Sequence, residues 1–193
     1  EITYYEMLEM ARLGAGVMQP RSVEMGHLYG IPIHVRSTFT SEPGTIIREE
    51  YTVEEKSFII RGVTHDEHVS KITVLGVSNT PGVAHRIFSA LADANIDVDM
   101  IVQSIRSAES NMTDMVFTVA SIDAEEARQV VEGISAEIKA SAVAIDNDVA
   151  KISIVGAGML GNPGIAARMF GALSRAEINI EIISTSEISI SCL

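Results

Sequence analysis

Gly156-Ala157-Gly158-Met159-Leu160-Gly161 spells G-x-G-x-x-G after a β-prone run, and Glu181 falls 20 residues past Gly161. In a dinucleotide fold such glycines let the backbone approach a pyrophosphate, and the acid binds a ribose. Three features oppose that chemistry. Pro163-Gly164 delays the helix until after the last glycine, and Glu181 lies inside an alternating stretch rather than at a strand end. A sister loop, Gly76-Val77-Ser78-Asn79-Thr80-Pro81-Gly82, fills the same slot without the three glycines. His65-Asp66-Glu67-His68 offers imidazoles and carboxylates, but metal ligands at that spacing sit on a helix or rigid knuckle with further partners. It is read as the polar tip of a hairpin, with no metal.

The sister loop is the third candidate. A Pro-Gly pair at a helix start presents backbone N–H groups at the positive end of the helix dipole, which hold a carboxylate or phosphate without a basic side chain. Ser78, Asn79 and Thr80 lie beside it, with Asp97, Asp99 and Gln103 on the next expected strand. Amides for a carboxylate beside acids and carbonyl acceptors describe an amino-acid site. A plain turn facing a solvated acidic strand accounts for the same residues equally well. No Ser/His/Asp or Cys/His arrangement with family spacing, P-loop or zinc pattern competes. Cys192, in an apolar run, reads as core.

These loops are placed by an internal repeat. Lys71-Ile72-Thr73-Val74-Leu75-Gly76 returns as Lys151-Ile152-Ser153-Ile154-Val155-Gly156, and Pro81-Gly82 as Pro163-Gly164, with two residues added in the second loop. The match continues through Arg86/Arg168, Phe88/Phe170, Leu91/Leu173 and Ile96/Ile178 to Ser104/Ser186. A repeat of this length marks a repeated structural unit. In the first copy Ile72–Val77 reads as a strand, and Ala84, Ile87, Phe88, Leu91 and Ala94 as the buried face of a helix. Ile96–Val102 and Met115–Val119 follow as strands, then a helix burying Ala127, Val130, Val131, Ile134 and Ile138, and a last strand at Ala142–Ile145. The order β-α-β-β-α-β predicts an α+β, ferredoxin-like module with two helices on one sheet face. The second copy supplies strand, helix, strand and the start of another, and a half module of this kind needs support from the first module or a partner chain.

Upstream, Thr3 and Glu6 fit a capping box for a helix through Met7, Leu8 and Met10. Pro20 opens a second helix that Gly30 and Pro32 stop, Ile31–Val35 is a short strand, and Thr40–Gly44 is a loop. The charged run Glu49–Lys56 reads as a linker, and a strand is expected from Ser57 to Val63. The expected domains are therefore 1–56, 57–149 and a truncated 150–193. With 5% aromatics and no Trp, the core rests on Ile, Val, Leu, Met and Ala. A formal charge of −12 argues against nucleic acid or an anionic membrane as partner. One cysteine points to a reducing, cytoplasmic setting, and no apolar run is long enough to span a membrane or resemble a signal peptide. The chain opens at Glu1 and stops in Ile190-Ser191-Cys192-Leu193, and is read as a fragment of a longer polypeptide.

Ile2-Thr3-Tyr4-Tyr5-Glu6-Met7-Leu8-Glu9-Met10-Ala11, Gly14-Ala15 and Gln19-Pro20-Arg21-Ser22-Val23-Glu24 resemble the end of the aspartokinase catalytic domain, and Val35-Arg36-Ser37-Thr38-Phe39 and Pro43-Gly44-Thr45 continue the match. Thr73-Val74-Leu75-Gly76 with Pro81-Gly82, and Ile183-Ser184-Thr185-Ser186-Glu187-Ile188, resemble that family's paired ACT modules. The resemblance covers nearly the whole chain. It implies tandem ferredoxin-like ACT modules preceded by a helix and strand remnant of an amino-acid-kinase domain. It also implies an enzyme that phosphorylates the β-carboxylate of aspartate with MgATP, on the route to lysine, threonine and methionine.

By the same resemblance, lysine and/or threonine bind at module interfaces and inhibit, and the modules pair within or between chains into a homodimer or hetero-oligomer. A threonine-type site would use Asn79, Gly82, Ala84 and Gln103, completed by Asn179 and Ile180 of a second module. The sister site would use Ser186 and Glu187, with lysine the expected effector. The place of Asn79 is often Asp in that family, so threonine binding is expected to be weakened here. The family's lysine- and glycine-rich nucleotide motif is absent, so this piece carries no catalytic residue or cofactor and is expected to be inactive alone. A stand-alone amino-acid-binding subunit without catalysis is the alternative, and the kinase-like segment Glu1–Phe39 favours the first reading.

Overall fold

The structure, a computed structural model, describes residues 1–49, 59–107, 111–159 and 161–193. It divides into two compact units, Glu67–Ala150 and an assembly of Glu1–Asp66 with Lys151–Leu193. Among the described residues no helix is long and apolar enough to cross a membrane.

In the second of these, β1 (Ile2–Thr3) leads into α1 (Tyr4–Arg12), and the expected capping box is present. Glu6 N–H donates to Thr3 Oγ1 at 3.2 Å, and Thr3 N–H to Glu6 Oε2 at 3.3 Å, satisfying amides that a helix start leaves open. α2 (Pro20–Leu28) begins on its proline as expected, and Gly30 turns the chain with φ +62°. β2 (Ile33–Val35) pairs with β3 (Thr45–Arg48), which also runs parallel to β1. The run Thr45–Arg48 is too short to announce a strand by alternation, yet its Ile47 is wholly buried among Ile2, Tyr4, Met7 and Val23. Of the expected linker Glu49–Lys56 only Glu49 is described, and the start of the strand expected from Ser57 likewise lies outside the described residues.

A strand does form just beyond, as β4 (Gly62–Asp66), but it does not join the first copy. It pairs antiparallel with Lys151–Val155, the first strand of the second copy. The chain then crosses at Glu67 and His68 to β5 (Val69–Ser78) in a different sheet, so His65–His68 is a crossing and not a hairpin tip. This crossing is why the compact unit containing the first copy starts at Glu67 rather than at residue 57.

The Glu67–Ala150 unit runs β5, α3 (Val83–Asp93), β6 (Ile101–Ser107), β7 (Met112–Ala120), α4 (Ala124–Gly133), α5 (Ser135–Ile138) and β8 (Ala142–Asp146). Its antiparallel sheet has the order β6-β7-β5-β8, the arrangement a β-α-β-β-α-β succession predicts. Val83, Ile87 and Leu91 of α3 and Ala127 and Val131 of α4 close over Ile72, Val74, Met115 and Phe117. Two expectations shift. Ala84 is exposed and Val83, four residues before Ile87, takes its place at the head of the buried stripe, while Ile87 and Leu91 are buried as expected. Ile96–Val102 is not a strand throughout. Ile96 and Met100 anchor an irregular connection, tied to β7 by Asp99 N–H to Thr118 O and Thr118 N–H to Met100 O, and β6 starts at Ile101. Asp97 and Asp99 therefore lie before the strand.

Lys71 faces Asp146 across β5 and β8, with Nζ 2.9 Å from Oδ2. The lysine, then the Asp148 amide, hold the Asp146 carboxyl below its usual range. A folded value lower than the unfolded one stabilises above the unfolded pKa, about 4, and that stabilisation is lost as pH falls through the folded value. Lys71→Met is expected to cost no more than ~1 kcal/mol near neutral pH, since the carboxylate is partly solvated. The gap from wild type should close as urea midpoints are measured at pH values falling below about 4. A gap that widens in acid would contradict the assigned pair.

The remaining strands and helix are β9 (Lys151–Val155), α6 (Ile165–Arg175), β10 (Ile183–Thr185) and β11 (Ser189–Cys192). Their sheet order, β10-β11-β9-β4, repeats the first, with β4 in the edge place that β8 holds there. The second copy thus borrows its fourth strand from upstream of the first. Both copies end their helix alike: Asn95 and Glu177 take φ +58°, and the amides of Ile96 and Ile178 return to Leu91 O and Leu173 O. One face of this sheet packs on α6 and keeps an apolar groove of about 440 Å³ beside it, lined by Val63, Ile152, Ile154 and Met169. The other carries buried Thr64, Ser153, Ser189 and Ser191 and lies toward α1, whose Met10 side chain fills the space a Cβ at Gly62 would need.

Candidate functional site

The first-copy loop is shaped by a β-bulge. Pairing of β5 with β7 slips between Val74 and Val77, where Gly76 has φ +62° and donates its N–H to Asp114 Oδ1 at 2.8 Å. Beyond the slip, Asn79 N–H donates to Asn111 O at 3.0 Å and Thr80 N–H to Ser78 O at 2.9 Å. Gly82 then enters α3 with no side chain capping the helix.

Ser78, Asn79, Thr80, Gly82, Ala84 and Gln103 line a cavity of about 460 Å³ at this uncapped start, floored by Thr113 and Met115. All four site residues expected from the first copy, Asn79, Gly82, Ala84 and Gln103, therefore meet at one cavity. Thr113 Oγ1 donates to Ser104 O at 2.6 Å and fixes the wall that β6 provides. Helix-start amides suit a carboxylate, while the Asn79 and Gln103 amides offer carbonyl acceptors to an ammonium. Asp97 and Asp99 do not line it.

Asn179 and Ile180 lie in the other unit, between α6 and β10, Asn179 exposed and Ile180 packed against the second core. Ser186 and Glu187 form the turn between β10 and β11. Ser186 Oγ accepts the N–H of Ser189 at 3.0 Å and of Ile188 at 3.3 Å, and it lies 2.8 Å from Ser189 Oγ. Glu187 is exposed. The glycines of residues 156–161 are used differently from a dinucleotide loop. Gly156 N–H donates to Ile188 O, Ala157–Met159 is a 3-10 turn, and α6 starts only after Gly164, at φ +94°. The sheet behind it is antiparallel, without the parallel crossover a dinucleotide fold requires.

Contacts invisible in the sequence join the second-copy turns to α1. Ala157 N–H donates to Glu6 Oε1 at 2.8 Å, and Ser189 Oγ donates to Glu9 Oε1 at 2.7 Å. The only sequence signal at Glu6 is the capping box, which uses its other carboxylate oxygen.

Comparison with known proteins places this geometry. The ACT domain family matches residues 72–133 and 152–193. The aspartate kinase Ask_LysC of Stutzerimonas stutzeri is 46% identical over 99% of the chain, which covers 46% of that protein. The chain thus spans about half the length of the curated relatives it matches. The regulatory subunit of aspartate kinase from Thermus thermophilus, in its ligand-free form, is 38% identical with a TM-score of 0.65, over 70% of this chain and 87% of that one. The aspartate kinase of Synechocystis is 39% identical with a TM-score of 0.69, over 98% of this chain and 34% of that one. With two ferredoxin-like sheets where the ACT match falls, and a regulatory-subunit relative covered over most of its length, this chain belongs to the aspartokinase family and carries its tandem ACT modules.

Proposed function

We propose that the chain is the regulatory part of an aspartokinase, binding lysine and/or threonine at its ACT modules to inhibit a catalytic domain that phosphorylates aspartate with MgATP in the cytoplasm. The observation that carries this is the meeting of Asn79, Gly82, Ala84 and Gln103 at the uncapped start of α3. Helix amides take the effector's carboxylate, and the two side-chain amides take its ammonium. Asn179 and Ile180 of a neighbouring module complete this site, and Ser186 and Glu187 belong to the second. Pairing of modules into a homodimer or hetero-oligomer is supported by the edge strands β6 and β10, which expose Ile101 and Ile183 at corresponding places. The likeness to a separate regulatory subunit supports a second reading, a stand-alone effector-binding subunit without catalysis.

Calorimetry of the chain against lysine, threonine, methionine and NAD tests this. Heat is expected from threonine or lysine and none from NAD, and the reverse pattern overturns the proposal. Asn79→Asp restores a carboxylate for the effector's ammonium and is expected to tighten threonine binding by roughly 1 kcal/mol, about fivefold. An unchanged affinity removes Asn79 from the site.

A further inference from the structure

We propose that Glu6 and Glu9 of α1 are positioning residues through which occupancy of the second-copy effector site reaches the kinase-derived segment. The inference rests on the effector reading above and adds its route. The route starts from the repeat, because equivalent loops in the two copies are anchored differently. In the first copy Gly76 and Asn79 donate to Asp114 and Asn111 of their own module. In the second, both turns reach α1: Ala157 N–H at the head of the 3-10 turn to Glu6 Oε1, and Ser189 Oγ to Glu9 Oε1. Gly156 N–H to Ile188 O ties the two turns to each other.

Glu6 and Glu9 lie three residues apart, on one helix face. Glu6 is wholly buried and uses both oxygens, Oε1 for the loop and Oε2 for Thr3 N–H and Oγ1, with the Arg61 guanidinium 3.9 Å from Oε1. A displacement of Ala157 is therefore felt at the N-cap of α1. Ser189 stands between Ser186, a candidate effector residue, and Glu9, with hydroxyl contacts of 2.8 and 2.7 Å. Drawing Ser186 toward a ligand pulls on a hydroxyl that Glu9 already holds. On the neighbouring small polar face Ser153 Oγ and Ser191 Oγ lie 2.7 Å apart, while the buried Thr64 Oγ1 has no hydrogen-bond partner among the described residues, and such a polar face has discrete alternative pairings where a close-packed apolar face resists shift.

The test is hydrogen–deuterium exchange of the α1 amides Leu8 to Arg12 in this chain, with and without saturating lysine or threonine, alongside calorimetry. Effector is expected to change those rates at least threefold in wild type. Glu9→Ala, which leaves the Glu6 link to Ala157, should cut that change at least by half while keeping the heat of binding, and Glu9→Gln, whose amide oxygen still accepts from Ser189, should retain it. Binding without any change at α1, or an equal change in Glu9→Ala, overturns the route but leaves the effector site standing. Absence of all effector heat in wild type overturns the effector reading and the route together. Ser189→Ala removes the same bond from the other side, so it should match Glu9→Ala, and a mismatch also overturns the route.

Discussion

Phe117→Ala is expected to lower the stability of the Glu67–Ala150 unit by about 3–5 kcal/mol, the range for emptying a fully buried aromatic site. Phe117 is wholly buried at the centre of β7, opposite Ile72 on one side and Ile101 on the other. Its ring meets Phe88 of α3 edge-on, at 5.6 Å and 74°. A module of this size holds only about 0.05–0.15 kcal/mol per residue, so the variant should sit near its unfolding threshold. Exchange of β5 and β7 amides should then rise toward the global unfolding rate, and threonine heat should fall, because α3 and β6 both border the cavity. A loss under about 1 kcal/mol would mean that the core repacks around the site.

Much of the fold is legible in the sequence because its signals are local and, in the repeated modules, stated twice. The capping box of Thr3 and Glu6, the proline start of α2 and the stripe of α4 each follow from residues within one or two turns. The resemblance names the cavity residues, and a physical reading of the loop reaches the same helix start unaided. What the sequence does not disclose is non-local. Gly62–Asp66 alternates as any edge strand does, and nothing in it says that its partner lies at Lys151–Val155 rather than in the next module. The acidic run Asp97–Asp99 alternates with apolar residues like a strand, yet backbone bonds with Thr118 hold it outside one. Glu6 announces only its capping box and Glu9 looks like an ordinary helix-surface acid, and only tertiary placement brings Ala157 and Ser189 to them.

Gly76→Val is expected to cost about 2–4 kcal/mol, combining a β-branched residue in left-handed backbone with a steric clash. Gly76 holds φ +62°, and a Cβ there would meet Ser141 Oγ. The cost should show in function as well as stability, because the bulge resets the phase of β5. Ile72 and Val74 face the core at alternate positions, and the extra residue brings Val77 inward instead of leaving it outside. Asn79 and Thr80 leave the strand in the direction that this reset dictates, so a flattened bulge turns the loop away from α3. Gly76→Asn separates the two contributions, since asparagine tolerates left-handed backbone but still carries a Cβ. It should cost less than valine, and part of its loss should return when Ser141→Gly vacates the contact. Equal losses for valine and asparagine would place the whole effect in the clash at Ser141. Full effector affinity in Gly76→Val, with stability reduced, would show that the loop keeps its course without the bulge.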